Sequence, residues 1–221
     1  TVSAGSLKLN ETGTLASSIA MSGGTLDADN SLTVSGALSH SADIEIDVAN
    51  NKTLTYSGTA ISVGANTLTL SGAVYRNSFF VSGGLTLNNA SSKLVLNSIT
   101  VDSVSTTSDS LGLDVNDYSR VTSLSVGHIT PVSIEAGGTL AGAITVSAGS
   151  LKLTEAGTLA SSIAMSGGTL DADESSGVSG TLSHTADITI DVADDKTLTY
   201  SGAPISLGAN TLTLSGGGSL V

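Results

Sequence analysis

The chain has 221 residues, of which 39% are hydrophobic, 3% aromatic and 12% charged, with 26 Gly, 2 Pro and neither Cys nor Trp. A charged fraction about half the globular norm, at a mean hydropathy of +0.30, excludes a disordered chain, and the shortage of aromatics leaves Leu, Ile and Val to build the core. Seven basic against 19 acidic residues give a formal charge of −12, which would repel a phosphate backbone and argues against nucleic acid as a partner.

The missing cysteines remove disulfides, thiolate metal sites and cysteine nucleophiles. No run approaches the roughly 20 apolar residues of a membrane helix. Thr1-Val2-Ser3 has neither the basic start nor the apolar centre of a signal peptide, so the segment reads as an excised or mature piece.

Taken in order, the chain is a succession of short alternating stretches: SLKLN (6–10), GTLAS (13–17), TLDAD (25–29), SLTVS (31–35), DIEID (43–47), KTLTY (52–56), NTLTL (66–70), GLTLN (84–88) and SKLVL (92–96). Alternation with period two predicts strands with one buried side, and the Ser-Gly, Asn-Asn and Gly-Gly pairs between them are turn chemistry. No helical period survives anywhere. Apolar pairs of the form I-x-V recur at Ile19/Met21, Ile61/Val63, Phe79/Val81, Ile99/Val101, Leu124/Val126, Ile144/Val146, Ile163/Met165 and Ile205/Leu207. Their spacing, mostly near 20 residues, sets the length of one rung.

A longer period lies over the short one. TVSAGSLKL from Thr1 returns from Thr145, and roughly 59 of 72 aligned positions are identical. Residues 1–144 form one long repeat and 145–221 a partial second copy, within a single continuous domain.

Equal rungs of strands without helices predict an all-β fold, a parallel β-solenoid of about 11 rungs, roughly 50 Å long, with about seven rungs per long repeat. The bias of parallel crossovers favours the right hand. One inward column is expected to run Leu7, Leu26, Ile44, Leu68 and Leu85, with Leu9, Ala28, Ile46, Leu70 and Leu87 beside it. An antiparallel sandwich or barrel would explain the short strands but not the equal rungs.

The stretches GANTLTLSG, SGGTLDAD and GSLKL resemble the glycine-rich passenger repeats of bacterial autotransporters and related giant surface adhesins. The resemblance implies a right-handed β-helix exported across the outer membrane of a Gram-negative cell. It would be displayed at the cell surface as a stalk or adhesive fibre in attachment or biofilm matrix. Partners would then be neighbouring repeats of the chain, other rods in a fibre, and surface glycans. An uncapped end would invite end-to-end stacking.

Candidate chemistry is sparse. With Leu26, Ala28, Ile44 and Ile46 facing in, Asp27, Asp29, Glu45 and Asp47 face out, and stacking in register would make a two-by-two carboxylate patch suited to calcium. In the second copy Asp171, Asp173 and Asp191 persist while Thr189 replaces Glu45. Lys8 and Lys152, one rung earlier in the same outward column, offer relief by pairing, and a solvated acidic face needs no cation at all. No calcium nonapeptide repeat is present, and no other cofactor is indicated.

A carbohydrate-binding or polysaccharide-cleaving reading centres on Tyr75, Arg76, Tyr118 and Arg120, in the unduplicated segment from Ser71 to Ser123. That segment holds Phe79, Phe80, the longest rung and an expected protrusion, NDYSRVTS. The alternative there is a widened core filled by Phe79 and Phe80, with Arg76 and Arg120 solvated. No catalytic constellation is found: His40 and His184 are one position in two copies, His128 stands apart, and all three read as rung-corner residues. Outward Thr raises ice binding, but Thr69 and Thr86 are expected in the charged column of Lys8, Asp27 and Glu45, which argues against it.

Overall fold

A computed structural model describes residues 1–58, 60–72, 78–116, 118–134 and 138–221, with the backbone alone given for Ser78. Among them the chain forms 29 strands and no helix, and every paired strand runs parallel to its neighbour. Most strands alternate buried with partly exposed residues, as in Ile44–Val48 and Lys93–Asn97, because successive side chains point to opposite faces. The result is a parallel β-solenoid. Eleven strands stack in its first sheet and bound ten turns of about 20 residues.

The other sides of each turn use shorter strands. Early turns carry two, such as Leu32–Val34 and Leu38–His40. In the middle turns single seven-residue strands, Thr100–Thr106 and Arg120–Val126, cover both sides. These sides form a 12-stranded sheet, with a four-stranded and a two-stranded sheet completing them at the ends of the repeat. The core is one continuous stack of Leu, Ile and Val running through all turns, with Phe79 as its largest fully buried side chain. No helix is long and apolar enough to cross a membrane among the described residues.

Pairing corrects the expected columns. Leu7 stacks on Leu26 and Leu9 on Ala28, but Leu26 then meets Ile46 rather than Ile44. Ile46 continues to Leu70 and Leu96, and Ile44 to Leu68 and Leu94. Leu85 and Leu87 belong to the other sheet, beneath Val104 and Thr106. The I-x-V pairs likewise divide. Ile61 and Leu124 lie in the column of Leu85 and Val104, whereas Phe79 and Val101 lie in the column of Leu54 and Val121. Alternation dictates which residues face inward; the lengths of the corners decide which inward residue meets which.

The long repeat does not stack straight above itself. Leu153, the second-copy counterpart of Leu9, stands seven strands further along a column that runs through Val132, Leu113, Leu94 and Leu68 to Ile44. Leu9 itself leads through Ala28 to Val48, four residues beyond Ile44 on the same strand. Over seven turns the repeat therefore slides by four residues along the strand direction, about 13 Å at the rise of an extended chain.

Turns before the first sheet depend on glycine at one stacked position. Gly24 has φ +84°, and a Cβ there would lie 2.2 Å from the carbonyl oxygen of Gly5 in the turn below. That oxygen accepts from the Thr25 amide, so the approach cannot relax without losing the ladder. Gly168 repeats the arrangement over Gly149 at φ +83°.

Candidate functional site

The first sheet presents its outward residues as ladders. One runs Lys8, Asp27, Asp47, Ser71, Asn97 and Asn116, passing from charge to amide. Lys8 stands over Asp27 as the spacing predicts, its Nζ 3.0 Å from Asp27 Oδ2 and 3.7 Å from Asp29 Oδ2. The hydrogen bond and charge of Asp27, followed by the charge of Asp29, hold the lysine protonated to higher pH than usual.

The expected two-by-two patch is skewed by two residues. Asp27 faces Asp47 directly, while Glu45 lies opposite Thr25 and next to Thr69. Ser71, which the sequence reading did not single out, joins the two remaining carboxylates: its hydroxyl donates to Glu45 Oε1 at 2.5 Å and approaches Asp47 Oδ1 at 3.4 Å. Burial first, then the charges of Asp27 and Glu45, push the Asp47 carboxyl above its ordinary range, against the lowering effect of the Ser71 hydroxyl.

The second copy repeats this chemistry in thinner form. Lys152 Nζ lies 3.2 Å from Asp171 Oδ2 and 2.8 Å from Asp173 Oδ2, and Asp171 faces Asp191. Burial leads in raising the Asp171 carboxyl, opposed by the hydrogen bond and charge of Lys152. Ser215 donates to Asp191 as Ser71 does to its pair. Among the described residues no group of three or more His, Asp or Glu side chains is placed to hold a metal ion. The partners present for these carboxylates are lysine and serine.

Two further acids carry structure. Asp43 Oδ1 accepts from the Thr67 amide at 2.8 Å, and Asp187 from the Thr211 amide at 2.7 Å, each tying one turn to the next. Their recurrence in both copies was the available signal. Surface pairs add Lys93 to Asp114 at 2.7 Å and Lys196 to Glu174 at 2.6 Å.

Of the carbohydrate candidates, Tyr75 and Arg76 lie outside the described residues. Tyr118 is exposed, with φ 58°; of the expected protrusion NDYSRVTS, Asp117 lies outside the described residues, the Ser119 amide bonds to the Asn116 carbonyl, and Arg120 to Ser123 belong to strand Arg120–Val126. Arg120 is exposed and stands in the ladder of Thr53, Thr100 and Thr139. Beside that ladder, Phe80 is 42% exposed and faces Thr55, which continues to Thr33 and Thr14. Phe79 fills the core as the alternative reading of that segment expected, but Phe80, expected there with it, is on the outer face, because successive strand residues point to opposite sides.

Thr86 is not in a charged column. It lies with Ser62, Ser105, Ser125, Thr145, Ala164 and Ser183 on an uncharged face of the other sheet, whereas Thr69 does sit beside Glu45. Serine outnumbers threonine there, so a uniform Thr lattice is still not what this face presents.

The histidines occupy corners and edges. His128 Nδ1 lies 3.7 Å from Asp109 Oδ1, with both side chains about half exposed. His40 caps strand Leu38–His40 and contacts two backbone carbonyls. Comparison with known protein families, curated proteins and solved structures returns no match for this chain. Its class therefore rests on the fold alone: a parallel β-solenoid repeat protein.

Proposed function

We propose that this chain is a structural or adhesive segment of a large repetitive bacterial surface or extracellular fibre protein, acting through length and repetition in attachment or matrix formation. One observation carries the reading: the surface is copied along with the core. Lys8, Asp27 and Asp29 recur as Lys152, Asp171 and Asp173 with the same pairings, seven turns apart. A rod lengthened by duplication multiplies weak contacts, for which avidity outweighs any one site. A reaction centre gains nothing from being stacked twice on one rod, so the role is non-catalytic. It needs no resident cofactor. The test is cryo-electron imaging of native cell surfaces. Thin rods with an axial repeat near 4.8 Å and a longer period of about 34 Å are expected. Isolated globular particles would refute the reading.

A carbohydrate-binding role is the second reading, favoured by exposed Phe80 in line with Thr14, Thr33 and Thr55, an apolar platform beside hydroxyls. Retention on neutral polysaccharide columns, lost in Phe80→Ala, is its test.

A further inference from the structure

His40 sits between two turns. Its Nδ1 lies 3.1 Å from the carbonyl oxygen of Ala42 and its Nε2 3.1 Å from the carbonyl oxygen of Ser62, one turn above. Both partners are acceptors only. A neutral imidazole carries one N–H, so in that form one of the two contacts sets a ring lone pair against a carbonyl lone pair. The imidazolium has two donors and satisfies both at once, with charge-assisted bonds. The geometry points to a proton-operated staple: protonation of His40 clamps strand Leu38–His40 to strand Ile61–Ser62, and loss of the proton loosens the clamp.

The surroundings leave this site to the imidazole. Strand Ile19–Met21, which pairs Met21 with His40, carries no ionisable residue, and neither does strand Ile61–Ser62. The nearest acid along the chain, Asp43, is engaged by the Thr67 amide. Histidine is the side chain whose ordinary charge change falls between about pH 5 and 8, and a comparison of pH 5.5 with pH 8.0 brackets it.

The second copy supplies the comparison. His184 keeps the Nδ1 contact, 2.9 Å from the Ala186 carbonyl, but its Nε2 is buried with no hydrogen-bond partner among the described residues. Residues 203–206 form no strand there, and Leu207 is 47% exposed where its counterpart Val63 is fully buried. One histidine bridges two turns and the other does not. The inference holds whatever the rod touches.

Hydrogen exchange of the whole chain tests it. The Ile61 and Val63 amides, which donate to Gly84 and Thr86, report on strand Ile61–Ser62. After correction for intrinsic exchange, their protection should be about ten-fold greater at pH 5.5 than at pH 8.0, the value of one charge-assisted hydrogen bond. His40→Gln should reduce that ratio to less than about two-fold, while His184→Gln leaves it unchanged. Equal ratios in wild type and His40→Gln, or an equal loss in His184→Gln, would overturn the staple. Should His40→Gln fold poorly, the imidazole ring protons of the unaltered chain, followed by nitrogen-15 magnetic resonance, decide it. Slowly exchanging protons on both ring nitrogens of His40 at pH 5.5, where exposed His128 shows none, support the staple, and ring protons on His40 that exchange as fast as those of His128 refute it.

Discussion

Replacing Asp47 by Asn should stabilise the rod. Asp47 faces Asp27 across neighbouring strands, shares the Ser71 hydroxyl with Glu45, and receives no lysine of its own among the described residues. Adjacent strands are about 4.8 Å apart, so the two carboxylates lie roughly 6 Å from each other. Two charges at that distance repel by about 1 kcal/mol when water screens much of the field, within the range for like charges directly opposed in sheets.

Asn keeps the shape and removes the charge. A gain of about 1 kcal/mol at pH 7 is expected from chemical denaturation followed by circular dichroism. The sign with pH follows from the raised carboxyl. Folded Asp47 binds its proton at higher pH than the unfolded chain does, so its penalty is fully present above the folded value and fades as pH falls through it. The advantage of Asn should therefore shrink on acidification and vanish below the ordinary aspartate range, near about pH 3.9. Asp191→Asn is the internal control, because Thr189 stands where Glu45 does, and should gain about half as much. A destabilised Asp47→Asn, or a gain that does not change between pH 7 and pH 4, would refute the electrostatic reasoning.

Other outcomes follow from the two copies. Leu70 is fully buried and Leu214, its counterpart, is 59% exposed, so Leu70→Ala should cost about 3 kcal/mol and Leu214→Ala less than about 1, measured by the same denaturation. Gly168→Ala combines a left-handed backbone with a Cβ 2.6 Å from the Gly149 carbonyl, and should cost at least about 2 kcal/mol or block folding, read from the thermal midpoint. Ser176 occupies the buried place of Leu32 and bonds to the Glu155 and Glu174 carbonyls, so Ser176→Leu should gain about 1 kcal/mol once the lost hydrogen bond is set against apolar burial. Chelation with EDTA, followed by added calcium, should leave the midpoint of the chain within about 1 °C, since the described acids have lysine and serine partners.

Much of the architecture was legible because period-two alternation is a direct print of the strand. It fixed Leu26 and Ile46 as inward and Asp27 and Asp47 as outward, and it placed Lys8 and Lys152 one turn before their aspartates. The same period left a two-residue ambiguity. Ile44 and Ile46 are equally buried partners for Leu26, and the choice depends on how many residues the intervening corners consume. That slip displaced Glu45 from Asp27, whereas Thr86 went to the wrong sheet because the next strand of the first sheet is Lys93–Asn97 and not Leu85–Leu87. Ser71 and the second contact of His40 were out of reach for a further reason. Each depends on a residue one turn away, and turns here differ in length: Leu26 leads to Ile46 after 20 residues, but Leu70 to Leu96 after 26.

The four-residue slide between copies has an outcome for the molecule as a whole. Measured against its own hydrogen-bonded columns, each long repeat is offset by four residues in a circuit of roughly 20. Both copies of the Lys–Asp motif nevertheless stand on the first sheet, in strands Ser6–Leu9 and Ser150–Leu153. In a chain of many such repeats the motif would recur on that sheet every seven turns, about 34 Å apart, while the hydrogen-bonded columns wander across the face beneath it. A partner would find the charged pairs along one side of the rod, too far apart for one small ligand to bridge two of them.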